Sequence, residues 1–255
     1  MPSIRLLLIL LLVVESVAAA RWQQPSVIAK AFQEVALKQE HGPDHGRLHR
    51  WQQPLKVWVS HQVGDKQMHN QLVDMHLRHL KTITGMPISR VSSRSKSNVQ
   101  VFFSRQSKWQ AVVRREMNLK QGPNLRGAVC MANYAVNGRG EITRGLVVIP
   151  VDQARMHGKL LACVVEELTQ LMGLPNDSEY AYPSIFNDKT PQDLLSGLDW
   201  LLLKLLYLPE LEPGMSRQQI KPILSARVRK WQSDGTISRA WREVKKGELY
   251  PLMGY

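Results

Sequence analysis

Between Asp193 and Tyr207 the chain carries Leu194, Leu195, Leu198, Leu201, Leu202, Leu205 and Leu206. At 3.6 residues per turn these leucines cover more than one side of a helix, so the helix cannot lie on a surface with half its girth in water. Whatever fold forms must enclose it. The sequence predicts a central core helix started by Thr190-Pro191-Gln192-Asp193: Thr can cap, Pro suits the first turn, and Asp stands where a capping box places an acid.

Upstream, helical and strand periodicities alternate. Residues 26–39 are predicted as a helix ending before the His41-Gly42-Pro43 breaker, 55–61 alternate as a strand, and 67–83 return to helical spacing through Met68, Leu72, Met75, Leu80 and Ile83. Residues 98–103 are strand-like, and a helix carrying Trp109, Val112 and Val113 follows. Strands at 128–136 and 142–150 flank Asn137-Gly138-Arg139-Gly140, a strong hairpin signal, and Asp152 opens a helix running to Met172. This order predicts an α/β (α+β) sandwich with a mixed, mostly parallel sheet and a C-terminal helical part. Beyond Pro213-Gly214 the tail is basic, with Ile220, Leu224 and Val228 spaced for a surface helix.

Arg5, the apolar run 6–14 and Ala18-Ala19-Ala20 read as a signal peptide over residues 1–20, so the mature chain is expected to start near Arg21, in the periplasm or secreted. No later segment offers about twenty uncharged apolar residues, so no transmembrane segment is expected in the mature protein. Cys130 and Cys163 suit an oxidising compartment and are expected to form a structural disulfide, bracing the helix that follows Cys163 by roughly 3 to 4 kcal/mol. The formal net charge of +13 survives loss of the signal, which carries one Arg and one Glu. It favours anionic partners, while the lack of an RRM or zinc-finger signature and the expected export argue against nucleic acid.

One run has the spacing of a known site motif: Glu166-Glu167-Leu168-Thr169-Gln170-Leu171-Met172-Gly173-Leu174-Pro175-Asn176-Asp177. On a helix Glu166 and Gln170 share a face, with Glu167 beside them. A left-handed Gly173 would stop the helix, Pro175 reinforces the stop, and the turn would bring Asn176 or Asp177 toward the same spot. This spacing resembles the zinc-peptidase motif H-E-x-x-H-x-x-G-x-x-H with every histidine replaced. Tyr182-Pro183-Ser184-Ile185-Phe186-Asn187-Asp188 is similar to the methionine-turn of metzincin peptidases, with Phe186 in the methionine place, and 193–207 resembles the helix that follows that turn. Over roughly 51–215 the chain resembles a secreted bacterial family, domain of unknown function 2927. The match rests on Glu166-Glu167-Leu168-Thr169-Gln170, Gly173-Leu174-Pro175-Asn176-Asp177-Ser178, Ser184-Ile185-Phe186, Leu206-Tyr207 and Pro213-Gly214-Met215. The resemblance implies a zincin-like fold and no established activity. By position, Glu166 and Gln170 replace the first two zinc ligands, Glu167 matches the general base and Asn176 replaces the third ligand.

Peptidase zinc relies on imidazole nitrogen, whereas Glu166, Gln170, Asn176 and Asp177 offer oxygen. The expectation is therefore no metal or other cofactor, the alternative being Ca, Mg or Mn on those oxygens. His41, His45 and His49 recur every four residues, but Gly42, Pro43 and Gly46 break any helix that would align them, so they are read as loop histidines. Two functional readings follow. One is a non-catalytic pseudopeptidase module of the cell envelope, with Gln170, Asn176, Gly173 and Phe186 framing its cleft. It would hold an extended peptide or protein partner by strand addition to an edge strand at 142–150, or an acidic envelope glycan. The other is a hydrolase of peptides or glycans in which Glu166 or Glu167 pairs with Asp177 as acid and base, because carboxylates that share a partly dry cleft split their pKa values. A third possibility is purely structural, with Gln170 joined to Asn176 and Glu167 solvated. The domain plan is a signal at 1–20, an N-terminal helical extension at 21–50, a zincin-like domain at 51–212 and a basic helical tail at 213–255.

Overall fold

A computed structural model describes residues 21–38, 46–117, 128–190 and 192–255. The expected signal segment, His41, His45 and Pro191 lie outside the described residues. In chain order the elements are α1 (Pro25–Leu37), β1 (Leu55–His61), α2 (Lys66–Thr84), β2 (Ile88–Arg90), β3 (Val99–Ser104), α3 (Gln106–Glu116), β4 (Met131–Val136), β5 (Ile142–Pro150), α4 (Val151–Met156), α5 (Leu160–Gln170), α6 (Gly197–Leu206), α7 (Arg217–Ser233), α8 (Thr236–Val244) and α9 (Leu249–Leu252). The strands form a five-stranded sheet in the order β2-β1-β3-β5-β4, parallel except for the β4–β5 pair. The molecule is thus a mixed α/β fold with a mostly parallel sheet and a C-terminal helical part.

Alternation within the strands sends side chains to two cores. Val99, Val101 and Phe103 of β3, with Val147 and Ile149 of β5, face the larger core with α2, α5 and α6, while Phe102 and Val148 face Trp109, Val112 and Val113 of α3. A strand covered on both sides reads as a continuous apolar run, and Leu146-Val147-Val148-Ile149 is one. That explains a correction: residues 142–150 do not form an edge strand. β5 is paired on one side with β3 and on the other with β4, and the edge belongs to β4. The three-residue β2, too short to carry a readable alternation, forms the other edge.

The leucine-rich helix is enclosed as its composition requires: Leu198, Leu201, Leu202, Leu205 and Leu206 have no exposed surface. Its start differs from the sequence expectation. Thr190 is taken by a turn around Asn187, whose Oδ1 accepts from the Thr190 backbone N–H and hydroxyl. The capping box lies six residues on, where Asp199 N–H donates to Ser196 Oγ at 3.1 Å and Ser196 N–H to Asp199 Oδ2 at 2.7 Å. Both boxes have the same local form, and only the one at Ser196 meets its tertiary partners: Ile185 N–H and the Ser184 hydroxyl also donate to Asp199.

Asp152 opens a helix, but Gly158 divides the predicted single helix into α4 and α5. The tail helix α7 is amphipathic, burying Ile220, Leu224, Val228 and Trp231, and it packs on α1. Next to α6, α8 approaches closely because residue 197 is glycine; a Cβ there would stand 2.8 Å from Trp22 Cη2 and 3.0 Å from Trp241 N. Residues from α1, the sheet and the C-terminal helices share one buried cluster.

Candidate functional site

α5 carries the polar cluster. Glu166 is half-buried, whereas Glu167 and Gln170 are each 5 % exposed, so Glu167 is not solvated as the structural reading expected. Thr169 has no exposed surface; its hydroxyl donates to Val165 O and accepts from His76 Nε2 at 2.9 Å, fastening α5 to α2. The helix ends at Gln170, and Gly173 follows at φ +116°, a conformation that favours glycine. A Cβ there would stand 2.2 Å from His49 O, so the turn is a close backbone approach as well.

Past the turn the two polar residues part. Gln170 Nε2 donates to Asp177 Oδ1 at 3.5 Å, so the residue joined to Gln170 is Asp177 and not Asn176. Asn176 faces α1 instead. Its Nδ2 donates to Glu34 O at 3.1 Å and to Asp177 O at 2.6 Å, and its backbone N–H donates to Val35 O. Glu34 and Val35 lie in the last turn of α1, where helix carbonyls have no intrahelical partner, so Asn176 caps that helix from a distant part of the chain. Among the described residues no group of three or more His, Cys, Asp or Glu is placed to hold a metal ion.

The carbonyls at the end of α5 are satisfied in the same way. Trp51 Nε1 donates to Leu171 O at 2.7 Å and the Tyr207 hydroxyl to Met172 O at 2.9 Å. Arg50 donates to Leu206 O and Leu208 O with its guanidinium over the Tyr207 ring. Phe186 is fully buried; its N–H is held by Ser184 Oγ and its carbonyl accepts from Ser178 N–H, which closes the loop that follows Asp177.

The disulfide Cys130–Cys163 joins the first turn of α5 to the entry of β4. On β4, Tyr134 reaches His49, with Tyr134 Oη and His49 Nδ1 3.3 Å apart and the rings edge to face. Burial lifts the phenols of both Tyr134 and Tyr207 well above the ordinary range, and their proximity lifts Tyr134 further, while hydrogen bonding at Trp51 and the charge of Arg50 only partly offset the rise at Tyr207. Both stay protonated, fit to donate hydrogen bonds and not to abstract protons. His49, Tyr134 and Tyr207 were not singled out as site residues by sequence reasoning. Tyr134 and Tyr207 lie far along the chain from α5, and the spacing of His49 associates it only with two loop histidines.

Beside β4, on the α3 side of the sheet, is a cavity of about 180 Å³ whose lining includes Gln100, Asn133, Tyr134, Arg144 and Leu146. No helix among the described residues is long and apolar enough to cross a membrane. No curated protein matches the sequence. A family model described as "Protein of unknown function (DUF2927)" matches residues 25–226, from the first residue of α1 into α7, and the chain belongs to that family.

Proposed function

We propose that this is an exported, non-catalytic binding module with a metzincin-like layout, which holds an extended peptide or protein segment along its edge strand β4. The observation that carries the reading is the commitment of Asn176, which stands at the third ligand position and spends its side chain on Glu34 O and Asp177 O. Gln170, at the second position, turns its amide toward Asp177. Groups engaged in holding α1 and the turn after α5 serve as scaffold. The edge strand is β4, not β5, so an added strand would pair with Met131–Val136, and the adjoining cavity would receive one of its side chains.

Hydrogen exchange with a library of extended peptides tests this. A bound peptide should protect amides within 131–136. Of the variants Ala132→Pro and Asn133→Pro, the one that removes an outward N–H should lose binding while keeping the fold. A library without any binder, or protection confined to other segments, would sink the proposal. The hydrolase reading keeps one observation in its favour: Asp177 is drawn to the face of α5 that bears Gln170. Cleavage of peptide or glycan substrates by the parent chain, abolished by Glu167→Gln, would establish it instead.

A further inference from the structure

Beyond residue 226, where the family match ends, the chain completes α7 and adds α8 and α9. α8 buries Ile237, Ala240 and Val244 and packs on α6 and α7; Trp241 flanks the packed face with its side chain exposed, Arg242 is exposed beside it, and Lys245 stands one turn after Trp241. Trp241 is 43 % exposed, Leu252 61 %, Met253 48 % and Tyr255 71 %, so several large apolar side chains stand in water within one short stretch. Trp241 and Tyr255 share a cation, and Leu252 and Met253 directly precede Tyr255 in the chain. Lys245 Nζ lies 5.1 Å from the Trp241 ring centre and 5.5 Å from that of Tyr255. The neighbouring carboxylates are engaged elsewhere, Glu243 by Lys246 and Glu248 by Arg78. Residues 216–255 hold nine Lys and Arg against three Asp and Glu, so this part supplies six of the net thirteen positive charges.

We infer that this patch docks on an anionic lipid surface. Its two components set conflicting demands on any other occupant. A protein interface would have to strip water from Lys245 and Arg242, which is why lysine is depleted from interface cores. At a bilayer surface Trp and Tyr rings sit at the headgroup level, Leu252 and Met253 reach the acyl boundary, and the cations extend to the phosphates without losing their polar surroundings. The inference does not depend on what β4 binds.

Co-sedimentation of the full chain with phosphatidylcholine vesicles, and with vesicles in which phosphatidylglycerol replaces part of the lipid, tests it. Binding should appear with the anionic vesicles only and weaken as salt is raised. Trp241→Ser with Tyr255→Ser should lower the partition coefficient about tenfold or more, and Leu252→Ser with Met253→Ser should act in the same direction. Arg242→Glu with Lys245→Glu should abolish binding. An unchanged urea midpoint verifies that each pair is folded. Absence of binding to anionic vesicles, or equal binding by folded variants, overturns the inference. So does a concentration-dependent self-association lost in these variants without vesicle binding, because the patch would then be a contact between two copies of the chain.

Discussion

Gly173 shows how a single residue joins a local and a distant requirement. Its positive φ is what a helix stop asks for, and the motif's spacing makes that readable. The His49 carbonyl that would lie 2.2 Å from an added Cβ is not readable, because the approach is created by a segment more than a hundred residues earlier. Gly173→Ala should therefore cost about 3 kcal/mol or more, combining backbone strain with displacement of the His49 segment. The measurement is the urea midpoint; a change within about 0.5 kcal/mol, as for an ordinary surface site, would show that the two segments are not in contact. Asn176 makes the same point from the other direction. Its polarity and its place after the turn stand out in the sequence, but the carbonyls it serves belong to Glu34 and Val35, and no spacing rule points to them.

At the scale of elements, β1 and β5 have the bounds their alternation and apolar runs predict, and the hairpin turn lies where Asn137-Gly138-Arg139-Gly140 signals it. The order of strands within the sheet was less legible. A hairpin signal says that β4 and β5 pair; which of them continues inward depends on which can be buried on both faces, and the unbroken apolar run of β5 decides it. The start of α6 is not legible locally, because two capping boxes compete and only that of Ser196 finds Ser184 and Ile185. The Cys130–Cys163 bridge connects elements that order alone leaves independent, tying β4 to α5 across 33 residues. Replacing both cysteines by serine should lower stability by about 4 kcal/mol on the chain-entropy estimate. Denaturant titration of the double variant gives the value, and a loss under about 1 kcal/mol would mean that packing alone holds α5 to β4.

Over the whole molecule, buried titrating groups should set the acid limit of the fold. Burial, the largest cause in each case, depresses His69 to about 4, His76 to about 3 and His79 to about 4, from 6.5. Each favours folding fully above its unfolded pKa, and that contribution is lost as pH falls through the folded value. Asp199 runs the other way. Burial raises it to about 6 from 3.8, so its contribution is present below 3.8 and lost as pH rises through about 6. Between about pH 6 and 4 unfolding therefore takes up protons on the three histidines and releases part of one from Asp199. The histidines outweigh the aspartate, so unfolding takes up net protons in this window and stability should fall as pH is lowered from about 6 toward 4. Urea titrations at pH 7 and pH 5 check the sign, and equal midpoints would contradict the neutral, buried histidines. The sequence by itself determined the alternation of elements, the enclosed leucine helix, the stop at Gly173 and the family, because periodicity, capping and glycine conformation act over a few residues. Only the tertiary structure decided that β4 is the edge, that Asn176 serves α1, and that His49 and Tyr134 stand together, because those outcomes depend on distant segments competing for one buried space.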